Sequence, residues 1–150
     1  MSKLIRRRGV LQAGLVLGVS VGAHSARACE FFSPNLRVFH PWTRATTDDA
    51  TFAVVCMKFD EVTKSDRLIG VETPVAAGAE MGGLATGPAV NFPIPRGQES
   101  SLAENGTYLR LVNLRFPLEV ARSYPLRLVF ETGAVVEASL NVDYTSFRFK

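Results

Sequence analysis

The sequence after residue 28 predicts an all-β domain, either a β-sandwich or a small barrel. Three observations lead to this class. Short apolar segments recur along the chain, residues that favour turns separate them, and no convincing amphipathic helix pattern follows residue 28. Residues 29–150 contain no linker, repeat or low-complexity tract. We therefore expect them to form one domain.

The strands follow from the apolar pattern in chain order. Residues 36–39 form the first strand. Residues 51–60 are apolar in both alternations, which predicts a central strand that is covered on both faces. Residues 67–72 form the next strand. Residues 78–95 are rich in Gly, Ala and Pro, which predicts a long irregular connection with a short strand near residues 90–92.

The C-terminal strands show the clearest alternation. Residues 108–114 place leucine on one face and tyrosine or arginine on the other. Residues 126–131 and 134–142 also alternate, and a Thr-Gly turn that includes Gly133 separates them. This pattern predicts an antiparallel hairpin.

Residues 1–28 have the pattern of a bacterial secretory signal peptide, expected as a helix. Arginines at positions 6–8 form the positive head, residues 13–23 form a short apolar run, and Ala-Arg-Ala at 26–28 is an A-x-A exit. The run is too short to span a bilayer of about 30 Å. Residues 7–12 also resemble the twin-arginine export motif. The sequence therefore predicts export to the periplasm, with cleavage after residue 23 or retention as an amphipathic anchor as alternatives.

The basic balance of the chain belongs to this signal. The whole sequence has 17 Lys and Arg against 14 Asp and Glu. The signal holds five of the basic residues and none of the acids, so residues 29–150 carry 12 bases and 14 acids, a net charge of −2. A nucleic-acid-binding domain needs a clustered basic face. We therefore expect no nucleic-acid partner.

The domain lacks the residue patterns of common enzyme sites. His40 is the single histidine after residue 28, and the chain has no G-x-S-x-G, H-E-x-x-H, C-x-x-C or phosphate-binding glycine loop. The paired acids at 48–49 and 60–61 fall in expected turns. A nucleophilic pair of His40 with a cysteine lacks a third, orienting group. We therefore expect a protein that is not an enzyme.

A longer pattern resembles one known family. Residues 38–46, Val-Phe-His-Pro-Trp-Thr-Arg-Ala-Thr, resemble the entry strand of the PCuAC family of periplasmic copper chaperones. The resemblance continues in order and spacing through residues 66–71, 106–108 and 125–133, and so covers nearly all of 36–142. It implies a cupredoxin-like Greek-key β-sandwich that binds copper and delivers it to a copper enzyme.

The usual copper ligands of that family are not found at the matching positions. Gly82 stands where the resemblance places the first histidine, and Leu109 and Leu111 stand where it places a closing His-x-Met pair. Leucine has no donor atom for copper. Met81 is the one soft residue nearby, and it is either a remaining ligand or a core residue that fills space.

The resemblance also implies a second copper location at the start of the exported chain. Cleavage after residue 28 leaves Cys29 first, and its amine and thiolate together with the imidazole of His40 suit copper or zinc. Four alternatives stay open: a disulfide between Cys29 and Cys56, lipidation of Cys29, Cys56 as a small buried hydrophobe, and a packing role for His40.

The predicted function is therefore a periplasmic protein that binds and delivers copper. Cys29 and His40 are its predicted ligands, and Met81 is a further candidate. The expected partner is a copper-accepting enzyme of the periplasm or the membrane, and no membrane span is expected once the signal is removed. The alternative is a relative without ligands that acts as a protein-interaction module in copper enzyme assembly, with Leu109 and Leu111 in an exposed apolar contact face.

Overall fold

The computed structural model describes residues 29–143, and their regular structure is entirely β. They contain no helix that could cross a membrane. The signal peptide, its cleavage site and residues 144–150 lie outside the described residues. Ten strands follow in chain order: β1 (Glu30–Phe32), β2 (Arg37–Arg44), β3 (Phe52–Asp60), β4 (Asp66–Glu72), β5 (Ala76–Gly83), β6 (Phe92–Ile94), β7 (Ser100–Leu102), β8 (Thr107–Leu114), β9 (Ser123–Phe130) and β10 (Val135–Asp143). The all-β prediction is confirmed.

The strands form one continuous, curled arrangement. Their order is β5-β8-β3-β2-β10-β9-β4-β6, with β1 added to β2 and β7 added to β3. Only β10 and β2 pair in parallel; the other strand pairs among residues 29–143 are antiparallel. The predicted C-terminal hairpin is confirmed as β9 and β10, which pair over seven positions.

Strand β3 is central, as predicted, but only one of its faces is fully covered. The inward residues Ala53, Val55, Met57 and Phe59 are buried, whereas Phe52 on the outward face is 45% exposed. The ring of Phe59 lies 5.8 Å from that of Phe92 and 6.2 Å from that of Phe130, measured between ring centroids. These contacts join β3 to β6 and β9 across the sandwich.

Strand β5 corrects the prediction of an irregular connection over residues 78–95. It contains three glycines, which have low β propensity. Its register with β8 nevertheless runs from Ala76 to Gly83. Backbone pairing with β8 and the ring of Tyr108 packed over Gly82 stabilise this strand, although its own residues have little preference for β structure. Strands β1 and β7 were also not predicted, since three-residue strands carry too little periodicity. The short strand expected near residues 90–92 lies at β6.

An ion-pair network covers the outward face where β1, β2 and β3 meet. Arg37 donates two hydrogen bonds to Asp60, Nε to Oδ1 at 2.7 Å and Nη2 to Oδ2 at 2.6 Å. Glu30 accepts a third at 2.8 Å, and Lys58 Nζ lies 3.4 Å from Asp60 Oδ2. The hydrogen bonds from Arg37 hold the pKa of Asp60 below its usual value.

The Asp60 carboxylate makes the stability of the protein depend on pH. Because its pKa is lower in the folded chain than the unfolded value of about 3.9, its contribution is complete above that value and is lost as the pH falls through the folded pKa. We expect Asp60→Asn to unfold at lower urea than the parent protein at pH 7, and the gap to close in acid. Asp48→Asn, which changes an exposed carboxylate, is the matched control. A gap that stays constant down to pH 2 contradicts this role.

Candidate metal centre

The structure brings Cys29 and His40 side by side at the end of the β1–β2 pair. Strand β1 pairs antiparallel with β2 in the register Glu30↔Phe39, which places Cys29 directly opposite His40. The backbone N–H of His40 donates to the carbonyl oxygen of Cys29 at 2.7 Å. Both side chains therefore belong to one short stretch of the sheet edge.

A β-bulge in β2 exposes His40. The register between β2 and β3 shifts between Phe39 and Trp42, and His40 adopts a φ of +48°. This left-handed conformation is uncommon for residues other than glycine, although histidine is enriched in it. The next residue is a buried Pro41, while the His40 side chain is exposed. The bulge thus re-aims the imidazole away from the core.

Cys29 is half-buried and lies just before β1, between the part of β2 that pairs with β1 and the part that pairs with the end of β10. The side-chain amide nitrogen of Asn141 lies 4.0 Å from Cys29 Sγ and donates toward it. The amide oxygen of Asn141 accepts a hydrogen bond of 2.8 Å from the hydroxyl of Ser123. Asn141 of the C-terminal hairpin therefore lies beside the sulfur that the sequence predicts as a copper ligand, and Ser123 holds the Asn141 amide.

Cys56 lies on the other side of β2, where it pairs with Trp42. Both cysteines are free, and Cys56 is 2% exposed. Burial raises the pKa of its thiol to about 11. Because β1 and β3 flank opposite edges of β2, the two cysteines are separated by two strand spacings of about 4.8 Å each. A disulfide requires Cα atoms closer than about 7 Å. The structure therefore does not form the disulfide alternative, and Cys56 is a small buried core residue.

Met81 is not brought to this edge. It lies on β5, opposite Leu109 of β8, and it is 3% exposed within the hydrophobic core. Strands β8 and β3 separate β5 from β2 in the sheet order. The thioether of Met81 therefore packs in the core, away from the pair formed by Cys29 and His40.

The prediction that Leu109 and Leu111 form part of an exposed apolar contact face is wrong. Both side chains are completely buried, because the alternation of β8 turns them into the core. The β5–β8 register places Gly82 opposite Tyr108 rather than opposite either leucine. Gly82 and the two leucines therefore face opposite sides of the sheet and cannot surround one ion. A side chain at position 82 would also overlap the ring of Tyr108.

Among residues 29–143, no group of three or more His, Cys, Asp or Glu side chains is arranged to hold a metal. A concavity of about 230 Å³ nevertheless opens beside His40. Met57 borders it, and neither this residue nor Asn141 was singled out from the sequence. Local patterns cannot find them, because the bulge and the end-to-end placement of β1 and β10 appear only once the strands are paired.

The strand order and the comparison structures define a cupredoxin-like β fold of the PCuAC type, as the resemblance implied. The copper-bound PCuAC domain from PmoF2 matches with a TM-score of 0.69 and 25% identity, over 77% of this chain and 98% of that domain. The apo PCuAC domain from PmoF1 matches with a TM-score of 0.70 and 27% identity, over 77% and 99%. The copper(I) form of DR1885 from Deinococcus radiodurans, at 17% identity over 82% and 83%, shares the fold with a TM-score of 0.61.

The chain belongs to the LpqE-like family, whose description reads "Putative lipoprotein LpqE-like" and whose model matches residues 36–142. Comparison with curated protein sequences gives no match.

Proposed function

We propose that this protein is an exported copper carrier that binds the metal at the β1–β2 edge and passes it to a copper-accepting protein. One observation carries the proposal: the chain shares its fold over nearly the whole domain with a copper-bound PCuAC domain at 25% identity. In this proposal the protein carries a metal ion rather than catalysing a reaction. Residues 1–28 direct export, by the twin-arginine route, and residues 29–150 form the carrier domain.

His40 is the central ligand of the proposed site. Its imidazole is exposed on a bulge, where an incoming or outgoing ion can reach it. Cys29 lies opposite and contributes its thiolate and, after cleavage behind residue 28, its amine. Sulfur and imidazole are donors that suit copper. A small ligand set at an exposed edge suits a carrier, because the metal must leave again.

Whether Cys29 is free or lipidated decides how many ligands it supplies. The members of the family are described as lipoproteins, which supports export and also supports the alternative that Cys29 is lipidated. Lipidation would tie the domain to a membrane and would block the thiol, leaving His40 as the ligand from this edge. Mass spectrometry of the exported protein distinguishes a free Cys29 from a lipidated one. The alternative function is an interaction module without ligands. Its expected contact face is not available for binding, since Leu109 and Leu111 are buried.

Copper titration of the exported protein tests the proposal. We expect one equivalent of Cu(I) to bind, and His40→Ala to weaken binding at least about tenfold, equivalent to about 1.4 kcal/mol. Cys56→Ala is the matched control, because this thiol is buried in β3. Affinity that is unchanged in His40→Ala, or the absence of stoichiometric binding, would exclude the proposed site.

A further inference from the structure

Asn141 presents a polar side chain to the sulfur of Cys29. Its amide nitrogen lies 4.0 Å from Cys29 Sγ and donates toward it. The neighbouring residues of β10, Leu140 and Val142, are buried, so the alternation of this strand turns Asn141 to the outward face. Strand β10 is paired on both sides, with β2 and with β9. A firmly held strand therefore brings the amide to a cysteine that lies just before β1.

Ser123 determines which end of the Asn141 amide faces the sulfur. It pairs with Asn141 across the β9–β10 hairpin, and its hydroxyl donates to the amide oxygen at 2.8 Å. A side-chain amide has an acceptor oxygen at one end and two N–H donors at the other. Because Ser123 engages the oxygen, the N–H end faces Cys29. The reverse orientation would turn the oxygen toward the sulfur, and a thiolate would repel it.

A neutral N–H donor suits a thiolate that holds a cation. It stabilises the negative sulfur without adding a positive charge that would repel the metal ion. Hydrogen bonds to a charged acceptor are shorter and stronger than those between neutral groups. We therefore expect the 4.0 Å contact to shorten when the sulfur is a thiolate. The adjacent carboxylate of Glu30 is engaged by Arg37 at 2.8 Å, so its charge is balanced.

We propose that Asn141 is a positioning residue for the Cys29 thiolate in the proposed copper site, and that Ser123 sets the orientation of its amide. The inference rests on the proposed function and adds to it the group that holds the sulfur in place. Asn141 acts through the sulfur and does not touch the ion. Side chains that orient a metal ligand in this way typically contribute about 10–100-fold to metal affinity.

Asn141→Asp tests this inference in the exported protein, because it keeps the shape of the side chain and replaces the N–H donor with a carboxylate oxygen. The probe is Cu(I), titrated in competition with a chromophoric chelator. We expect Asn141→Asp to weaken binding about 10–100-fold, and Ser123→Ala to weaken it less, since the amide is then free to turn. Asn91→Asp is the matched control. It makes the same change at an exposed position that accepts a hydrogen bond from Arg67, and we expect unchanged binding.

The NMR signal of the Asn141 side-chain amide gives a second measurement, made in the parent protein, that a merely structural role would not change. Cu(I) is diamagnetic, so the signal stays visible in the loaded protein. We expect it to move downfield when Cu(I) binds, and the movement to be absent in Cys29→Ala. An unmoved signal, equal affinity in Asn141→Asp and Asn91→Asp, or a lipidated Cys29 overturns the role of Asn141. If His40→Ala still weakens binding in that case, the proposed function stands without Asn141; if it does not, the proposed function fails as well.

Discussion

Gly83→Ala is expected to destabilise the domain by roughly 2–5 kcal/mol, the combined range for left-handed strain and for overpacking. Gly83 has a φ of +80°, and a Cβ there would overlap the carbonyl oxygen of Gly106. It would also lie 3.1 Å from Cε1 of Tyr108. Moving the Gly106 carbonyl away would break a hydrogen bond, because its oxygen accepts the N–H of Leu84 at 3.2 Å. The strain falls where β5 closes against β8.

Urea unfolding of Gly83→Ala beside Gly87→Ala measures this effect. Gly87 also pairs with β5, through Met81, but a Cβ at position 87 would meet nothing within 4 Å. We expect Gly87→Ala to stay within about 0.5 kcal/mol of the parent protein, the usual range for surface changes. Equal stability of the two alanine variants would mean that the β5–β8 closure differs from the one described.

Strands whose side chains alternate between apolar and polar could be predicted from the sequence, whereas strands that are held mainly by backbone pairing could not. The hairpin of β9 and β10 was predicted because Leu126, Leu128, Leu140 and Val142 alternate with polar residues, and burial alone accounts for that pattern. Strand β5 was missed because glycine and alanine carry no such pattern. Its pairing with β8 is a tertiary effect, in which the ring of Tyr108 covers Gly82.

The candidate site likewise contains residues that the sequence predicted and residues that it did not. The sequence predicted that Cys29 and His40 lie together, and the β1–β2 register places them opposite each other, although their role as ligands stays a prediction. Leu109 and Leu111 were predicted at an exposed face against the alternation of their own strand, which turns them inward. Asn141 gave no signal, because its position beside Cys29 depends on where β10 pairs along β2, which no local pattern reports.

Phe59→Ala is expected to cost about 3–5 kcal/mol, the range for truncating a buried aromatic residue. Phe59 is completely buried. Its ring meets Phe92 and, edge to face, Phe130, so it joins β3 to strands on the far side of the sandwich. Removing the ring loses both the apolar burial and these contacts, and it leaves a cavity between the two halves of the fold.

The same substitution at Phe52 is the matched control, since it lies on the same strand but faces outward. Phe52 is 45% exposed, and its ring is held by the guanidinium of Arg110 at 4.2 Å from the ring centroid. Phe52→Ala is therefore expected to lose about 1 kcal/mol, the value for an exposed cation–π contact. Calorimetric or urea unfolding compares the two variants. Equal losses at positions 52 and 59 would contradict a sandwich closed by Phe59.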